Sequence, residues 1–134
     1  MKKEFTQLDH VNFTVSNFQE SVLWYEKIFN FKLVEEGKSL EGRQWGILKS
    51  GESMLAITED PERSSKEDRS LHKIYHFGLR VHNENLWRQR LKEFRLETFY
   101  DSPVQYPHSQ SWYVQDPTGN EIEVSLWEEN KAQF

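Results

Sequence analysis

The chain contains the same pattern twice. Residues 8–15, LDHVNFTV, and residues 74–81, IYHFGLRV, superpose in phase, with His10 on His76 and Val15 on Val81. Both alternate as strands do. His10, Asn12 and Thr14, like His76, Gly78 and Arg80, share one face; Val11, Phe13 and Val15, like Phe77, Leu79 and Val81, share the other. A duplication within 134 residues constrains the fold strongly. Half a chain of that length cannot bury both its helix and its sheet faces, and two halves together can.

Each copy continues in the same order. After the first strand, Asn17 is an N-cap with Glu20 completing a capping box. Phe18, Val22, Tyr25, Ile28 and Phe29 then recur at helical spacing, and Asn30 suits the left-handed residue that ends a helix. Strands are predicted over Phe31–Glu36, Gln44–Lys49 and Ser53–Thr58, with Gly37, Gly42 and Gly51 at the breaks. In the second copy, a strand over 73–81 precedes the N-cap Asn83 and a helix with Leu86, Trp87, Leu91 and Phe94 as its stripe. A short strand, Leu96–Tyr100, leads into a loop over 101–110 containing Pro103 and Pro107. The Ser111–Trp127 hairpin then turns through Asp116-Pro117-Thr118-Gly119-Asn120.

Both halves therefore read β-α-β-β-β. The expected class is α+β: one domain, with module one about 6–58, a linker over 59–72 and module two about 73–127. The two modules are expected to form a curved eight-stranded sheet with helices outside and a cleft inside. The linker carries eight charges and no periodic apolar face, and His72 within it reads as a solvated loop residue. The closing EENKAQF reads as a frayed tail or a lid.

A net charge of −5 and a pI near 5.6 argue against nucleic acid as partner. Arg88, Arg90, Lys92 and Arg95 fall on one predicted helix and read as a solvated face. No apolar run approaches the roughly 20 residues that span a bilayer. MKKEFTQLDH has no apolar leader core, so the expectation is a cytoplasmic protein without a membrane partner. The absence of cysteine excludes disulfides, thiolate catalysis and Cys-ligated zinc.

The last strand carries the chemistry. Ile122, Val124 and Leu126 face one way, and Glu121, Glu123, Ser125 and Trp127 the other. Carboxylates repeated between bulky groups suggest one aimed into a cavity. His10, His76 and one of these two glutamates make a possible metal site, and alternation leaves Glu121 and Glu123 equally placed.

Four stretches in order, LDHVNFTVSN, SVLWYEKIFNFKL, YHFGLRV and DPTGNEIEV, resemble the vicinal oxygen chelate superfamily of glyoxalase, bleomycin-resistance and extradiol-dioxygenase proteins. The resemblance spans nearly the whole chain. It implies that His10, His76 and Glu123 hold a divalent transition metal (Fe, Mn, Ni or Zn), chelated in turn by adjacent oxygens of a small substrate. The implied activities are lyase or isomerase, thiol transferase, and dioxygenase. The alternative is a binding or drug-sequestration protein of the bleomycin-resistance type, with Trp45, Trp112 and Trp127 around a planar ligand. Leu55 aligns on Glu123 when Gly51 is set on Gly119, which argues against the four-ligand glyoxalase arrangement. Fosfomycin thiol transferases share the three ligands and a tyrosine matching Tyr113. Their cationic clamp has no counterpart here beyond Lys131. Extradiol dioxygenases place an acid/base histidine near His108, which reads equally as a surface residue. Tyr113 and His108 are thus the catalytic candidates, and Asn12, Arg80, Trp45 and Trp112 the substrate contacts. Arg80 is placed to meet an anionic group or to pair with Glu121. Family members commonly pair, so a homodimer is expected.

Overall fold

The computed structural model describes residues 8–72 and 74–133. The first residues of module one, most of the stretch read for a leader, the opening residue of the strand expected over 73–81 and the final residue of the tail lie outside the described residues. Two compact units divide at Ser64/Ser65, within the polar stretch between the repeats. Among the described residues no helix is long and apolar enough to cross a membrane.

The first unit runs β1 (Val11–Val15), α1 (Phe18–Phe29), β2 (Lys32–Lys38), β3 (Gln44–Ser50) and β4 (Ser53–Glu59). The second runs β5 (Phe77–Arg80), α2 (Glu84–Glu93), β6 (Phe99–Gln105), β7 (Ser109–Gln115) and β8 (Glu121–Trp127). Each is a βαβββ module, and the fold is α+β. The eight strands divide into two four-stranded sheets, ordered β1-β4-β3-β2 and β5-β8-β7-β6. In both, the first strand pairs parallel with the last, and the remaining pairs are antiparallel.

Local chemistry sets the helix ends. Asn17 and Asn83 cap α1 and α2, their side-chain oxygens accepting from the Glu20 and Leu86 amides. Asn30 ends α1 at φ 60°. The first core forms where α1 meets β2, β3 and β4. Phe18, Val22, Tyr25 and Ile28 are buried against Leu48, Leu55 and Ile57. Tyr25 stacks among Phe13, Trp24 and Phe31.

The second helix departs from its expected stripe. Trp87 is buried and meets Trp112 edge-on at 6.3 Å, but Leu86 and Phe94 are exposed. Leu86 lies about 100° around the helix from Trp87, and Phe94 is already the C-cap residue. One indole covers the sheet where α1 uses a row of side chains.

The largest departure is β6. Instead of ending at Tyr100, the strand begins at Phe99 and runs to Gln105. Between the pairs Phe99–Tyr113 and Val104–Ser111, β6 advances five positions while β7 advances two. The excess is taken up by Tyr100 and Asp101 at φ 62° and 55°. Ser102 closes this bulge, donating its hydroxyl to the Phe99 carbonyl and accepting the Tyr113 amide. Pro103, which lacks an N–H, is tolerated because β6 is the sheet edge. The tail is also more tied than expected: Glu128 N–H donates to the His108 carbonyl, and Glu128–Asn130 forms a short 3₁₀ turn.

The β7–β8 turn is held by one carboxylate. Asp116 Oδ1 accepts from the backbone N–H of Thr118, Gly119 and Asn120 at 2.9, 2.9 and 2.8 Å, and Oδ2 accepts from the Asn120 amide. Gly119 sits at φ 100°, and a Cβ there would lie 2.9 Å from the Ser65 Cα. Asp116→Ala is expected to cost about 3 kcal/mol, because buried backbone donors lose their acceptor. Gly119→Ala is expected to cost at least about 2 kcal/mol through strain and contact. Urea unfolding midpoints check both; an unchanged midpoint for either would mean that the turn relaxes freely.

Candidate metal-binding face of the second unit

Pleating decides which side chains share a surface. Glu121, Glu123 and Ser125 of β8 lie on the face opposite Ile122 and Val124, which are wholly buried. Tyr113 and Ser111 of β7 stand directly across from Glu123 and Ser125. His76 immediately precedes β5, whose Gly78 pairs with Glu123. These residues meet on one polar face.

Nε2 of His76 lies 3.0 Å from Glu123 Oε1. Glu123 Oε2 is taken by the Ser111 hydroxyl at 2.7 Å and the Ser125 hydroxyl at 3.3 Å. The carboxylate is thus oriented, with one oxygen turned to the imidazole. Glu121 is almost entirely buried, with Oε2 3.4 Å from His76 Nδ1 and Oε1 accepting the Tyr100 hydroxyl at 2.5 Å. Among the described residues, buried His76 Nδ1 makes no hydrogen bond. The Tyr113 and Tyr106 hydroxyls are hydrogen-bonded at 2.6 Å, and the Tyr113 ring meets His76 and Tyr100 edge-on. Burial pushes the Tyr113 phenol well above its ordinary range, and the Tyr106 hydrogen bond and the Glu123 charge push the same way.

The donor set suits a divalent cation. Two ligands about 2.1 Å from a common ion and at right angles to it stand roughly 3 Å apart, which is the separation of His76 Nε2 and Glu123 Oε1. Among the described residues no group of three His, Asp or Glu side chains is arranged to hold a metal ion; this is a pair. His10 belongs to the first unit, where it immediately precedes β1. It is exposed, and its Nδ1 meets Asp9 Oδ2 at 2.7 Å.

The other expected site residues fall in different places. Asn12 is exposed on β1, and its side-chain oxygen accepts from Thr58, which is paired with Trp45 in the neighbouring strand. The Trp45 indole lies over Gly37 of β2, where a Cβ would come within 2.8 Å of it. Arg80 is exposed on β5. Its expected pairing with Glu121 does not form: Glu121 turns to Tyr100 and His76, and among the described residues Arg80 has no ion-pair partner.

Two of the expected residues lie away from this face. Trp112 is 1% exposed on the core side of β7, between Trp87 and the Arg88 guanidinium. His108 does not join the His76–Glu123 face. It sits in the β6–β7 turn with Nδ1 3.4 Å from Glu128 Oε2, five strand positions from Tyr113, or roughly 15 Å along β7. The alignment of Leu55 on Glu123 also shifts by one. Leu55 pairs with Val11 and is buried in the α1 core, so Ala56, paired with Asn12, holds the place that Glu123 takes opposite Gly78. The β3–β4 turn has only Gly51 and Glu52 between its last paired residues, and matching the turn glycines misplaces the strand. Neither residue can ligate a metal.

Tyr100, Tyr106 and Ser111 belong to this face without having stood out in the sequence. Ser111 can be found by counting back from Glu123 across the hairpin. Tyr100 cannot, because its approach depends on the β6 bulge.

The model of the Glyoxalase/Bleomycin resistance protein/Dioxygenase superfamily matches residues 7–124. A protein named metallothiol transferase FosB, from Staphylococcus epidermidis, is 26% identical over 123 residues, covering 90% of this chain and 82% of its own length. Among solved structures, a glyoxylase/bleomycin resistance protein/dioxygenase domain from Frankia sp. EAN1pec aligns with a TM-score of 0.78 at 18% identity, covering 96% of each chain. A mutant of the fosfomycin resistance protein FosX from Listeria monocytogenes, complexed with Mn(II) and 1S,2S-dihydroxypropylphosphonic acid, aligns with a TM-score of 0.70 at 15% identity. That alignment covers 97% of this chain and all of the other. The chain belongs to the glyoxalase/bleomycin resistance protein/dioxygenase superfamily.

Proposed function

We propose that the protein is a divalent-metal-dependent enzyme acting on a small oxygenated substrate, with His10, His76 and Glu123 holding the metal. The observation that carries this reading is the His76–Glu123 pair: Nε2 and Oε1 are 3.0 Å apart, and the second carboxylate oxygen is tied to two serines. A sequestration protein has no use for a carboxylate so oriented. Asp9 holds the His10 ring by Nδ1, which leaves Nε2 outward as a metal donor.

A bound divalent cation supplies Lewis acidity toward two adjacent substrate oxygens. The chain's own groups do the rest. Tyr113, kept as a neutral phenol, donates a hydrogen bond to a substrate oxygen as charge develops there. Arg80, exposed on the strand beside Glu123, is the cation available to an anionic substrate group. Within this class we favour transfer of a thiol to an electrophilic, phosphonate-like substrate. The relatives named for metallothiol transfer and fosfomycin resistance support that choice.

Protein purified without chelators is expected to carry near-stoichiometric Mn, Zn, Ni or Fe, and His10→Ala, His76→Ala and Glu123→Ala each to lose it, read by elemental analysis. A wild type that stays empty after reconstitution would overturn the reading. Thiol consumption in the presence of fosfomycin then tests the substrate class. Tyr113→Phe is expected to lower turnover roughly 100-fold, the scale of losing one oxyanion donor. Its phenolate signal also separates roles. With five tyrosines, absorbance titration through pH 9–11 should keep its amplitude in Tyr113→Phe, since that phenol is not ionised there. A clear loss of amplitude would show that Tyr113 ionises in that range and can act as a base.

A further inference from the structure

The Nδ1 side of His76, like the Nε2 side, faces a carboxylate. Nε2 faces Glu123 Oε1 at 3.0 Å, so a proton carried on Nε2 would point to that carboxylate. A neutral imidazole has one N–H, so an Nε2 lone pair offered to a cation requires that proton on Nδ1. Among the described residues, buried Nδ1 makes no hydrogen bond, and the carboxylate 3.4 Å away is Glu121 Oε2. The Glu121 side chain is 1% exposed, so no bulk solvent replaces it as acceptor.

Glu121 is held from the far edge of the sheet. Its Oε1 accepts the Tyr100 hydroxyl, although β6 and β8 are separated by β7. Tyr100 reaches over Tyr113, the two rings meeting edge-on at 5.1 Å. It does so because Tyr100 and the next residue both adopt left-handed backbone, at φ 62° and 55°. Two consecutive non-glycine residues in that region are costly and persist only where surrounding contacts hold them. Here the Ser102 hydroxyl closes the bulge and the Tyr100–Glu121 hydrogen bond is among the contacts that it brings about.

We propose that Glu121 and Tyr100 are positioning residues: Glu121 fixes the ring orientation and the Nδ1–H tautomer of His76, and Tyr100 fixes Glu121. The proposal rests on the metal reading above. It adds two residues that touch neither metal nor substrate but set how well His76 binds. In sequence Glu121 looks like an alternative to Glu123, since both share one face. The structure divides the roles, one carboxylate on each nitrogen of the same imidazole.

The test is Zn(II) affinity of the metal-free full-length chain, measured by competition with a chromophoric chelator, beside the ¹⁵N histidine spectrum. Glu121→Gln is expected to bind zinc about 10- to 100-fold more weakly, and Tyr100→Phe several-fold more weakly. The exposed control Glu97→Gln should bind as wild type does. Zinc at Nε2 fixes the proton on Nδ1 in every variant, so the tautomer is read in the metal-free protein, where the Nδ1–H population of His76 should fall in Glu121→Gln. A merely structural role would lower the unfolding midpoint without changing that signal. Tyr100 is half exposed, so its variant loses one hydroxyl and little packing. If Glu121→Gln and Tyr100→Phe bind zinc like the wild type while His76→Ala and Glu123→Ala do not, the positioning role is overturned and the metal reading stands. If the wild type takes up no zinc, both are overturned.

Discussion

Three backbone N–H groups converging on the Asp116 carboxylate hold the register on which the functional face depends. The β7–β8 pairing could slip, and in a strand of period two a slip by one residue turns every side chain over. Glu121 and Glu123 would then enter the core, and Ile122 and Val124 would meet solvent. By closing the turn in one geometry, Asp116 sets Tyr113 opposite Glu123 and Ser111 opposite Ser125. Gly119 completes the turn because its backbone passes against Ser65, where no side chain fits.

Collecting carboxylates on a sheet face is costly unless each has partners. The second unit meets part of that cost locally. Glu123 is bound by two serine hydroxyls and Glu121 Oε1 by a tyrosine hydroxyl, while Glu121 Oε2 stands 3.4 Å from His76 Nδ1 without a hydrogen bond between them. The aromatic rings of Tyr100 and Tyr113 pack over the same face and limit water there. Satisfying the carboxylates therefore also orients them, leaving a single oxygen directed at His76 Nε2.

The two modules share an architecture and have diverged in what their faces hold. Where the second has Glu123, the first has Ala56. Where α1 buries a row of apolar residues, α2 relies on one tryptophan. The first unit invests in its core, with Tyr25 surrounded by aromatic rings. The second carries the His76–Glu123 pair, and the bulge in its edge strand brings Tyr100 to Glu121. A duplicated chain can divide labour in this way because each sheet forms its own hydrogen-bonded ladder.

The module order, both helices with their asparagine caps and the β7–β8 hairpin were legible in the sequence because local rules govern them. Capping uses residues three apart, helical stripes recur every three or four positions, and strand faces alternate every two. The His76 and Glu123 pairing was legible through the repeat and the family pattern, whereas alternation alone left Glu121 as an equal. Tertiary structure decided the rest. That Trp112 belongs to the core rather than a binding surface follows from the indole of Trp87 across from it. That His108 stands apart from Tyr113 follows from the four residues of extended strand between them. That Glu121 serves the far side of the His76 ring follows from a bulge in β6, where left-handed residues and an edge proline carry Tyr100 across the sheet. No local signal announces that bulge, because contacts distant in sequence help hold it: the Tyr113 amide on Ser102 and the Tyr100 hydroxyl on Glu121.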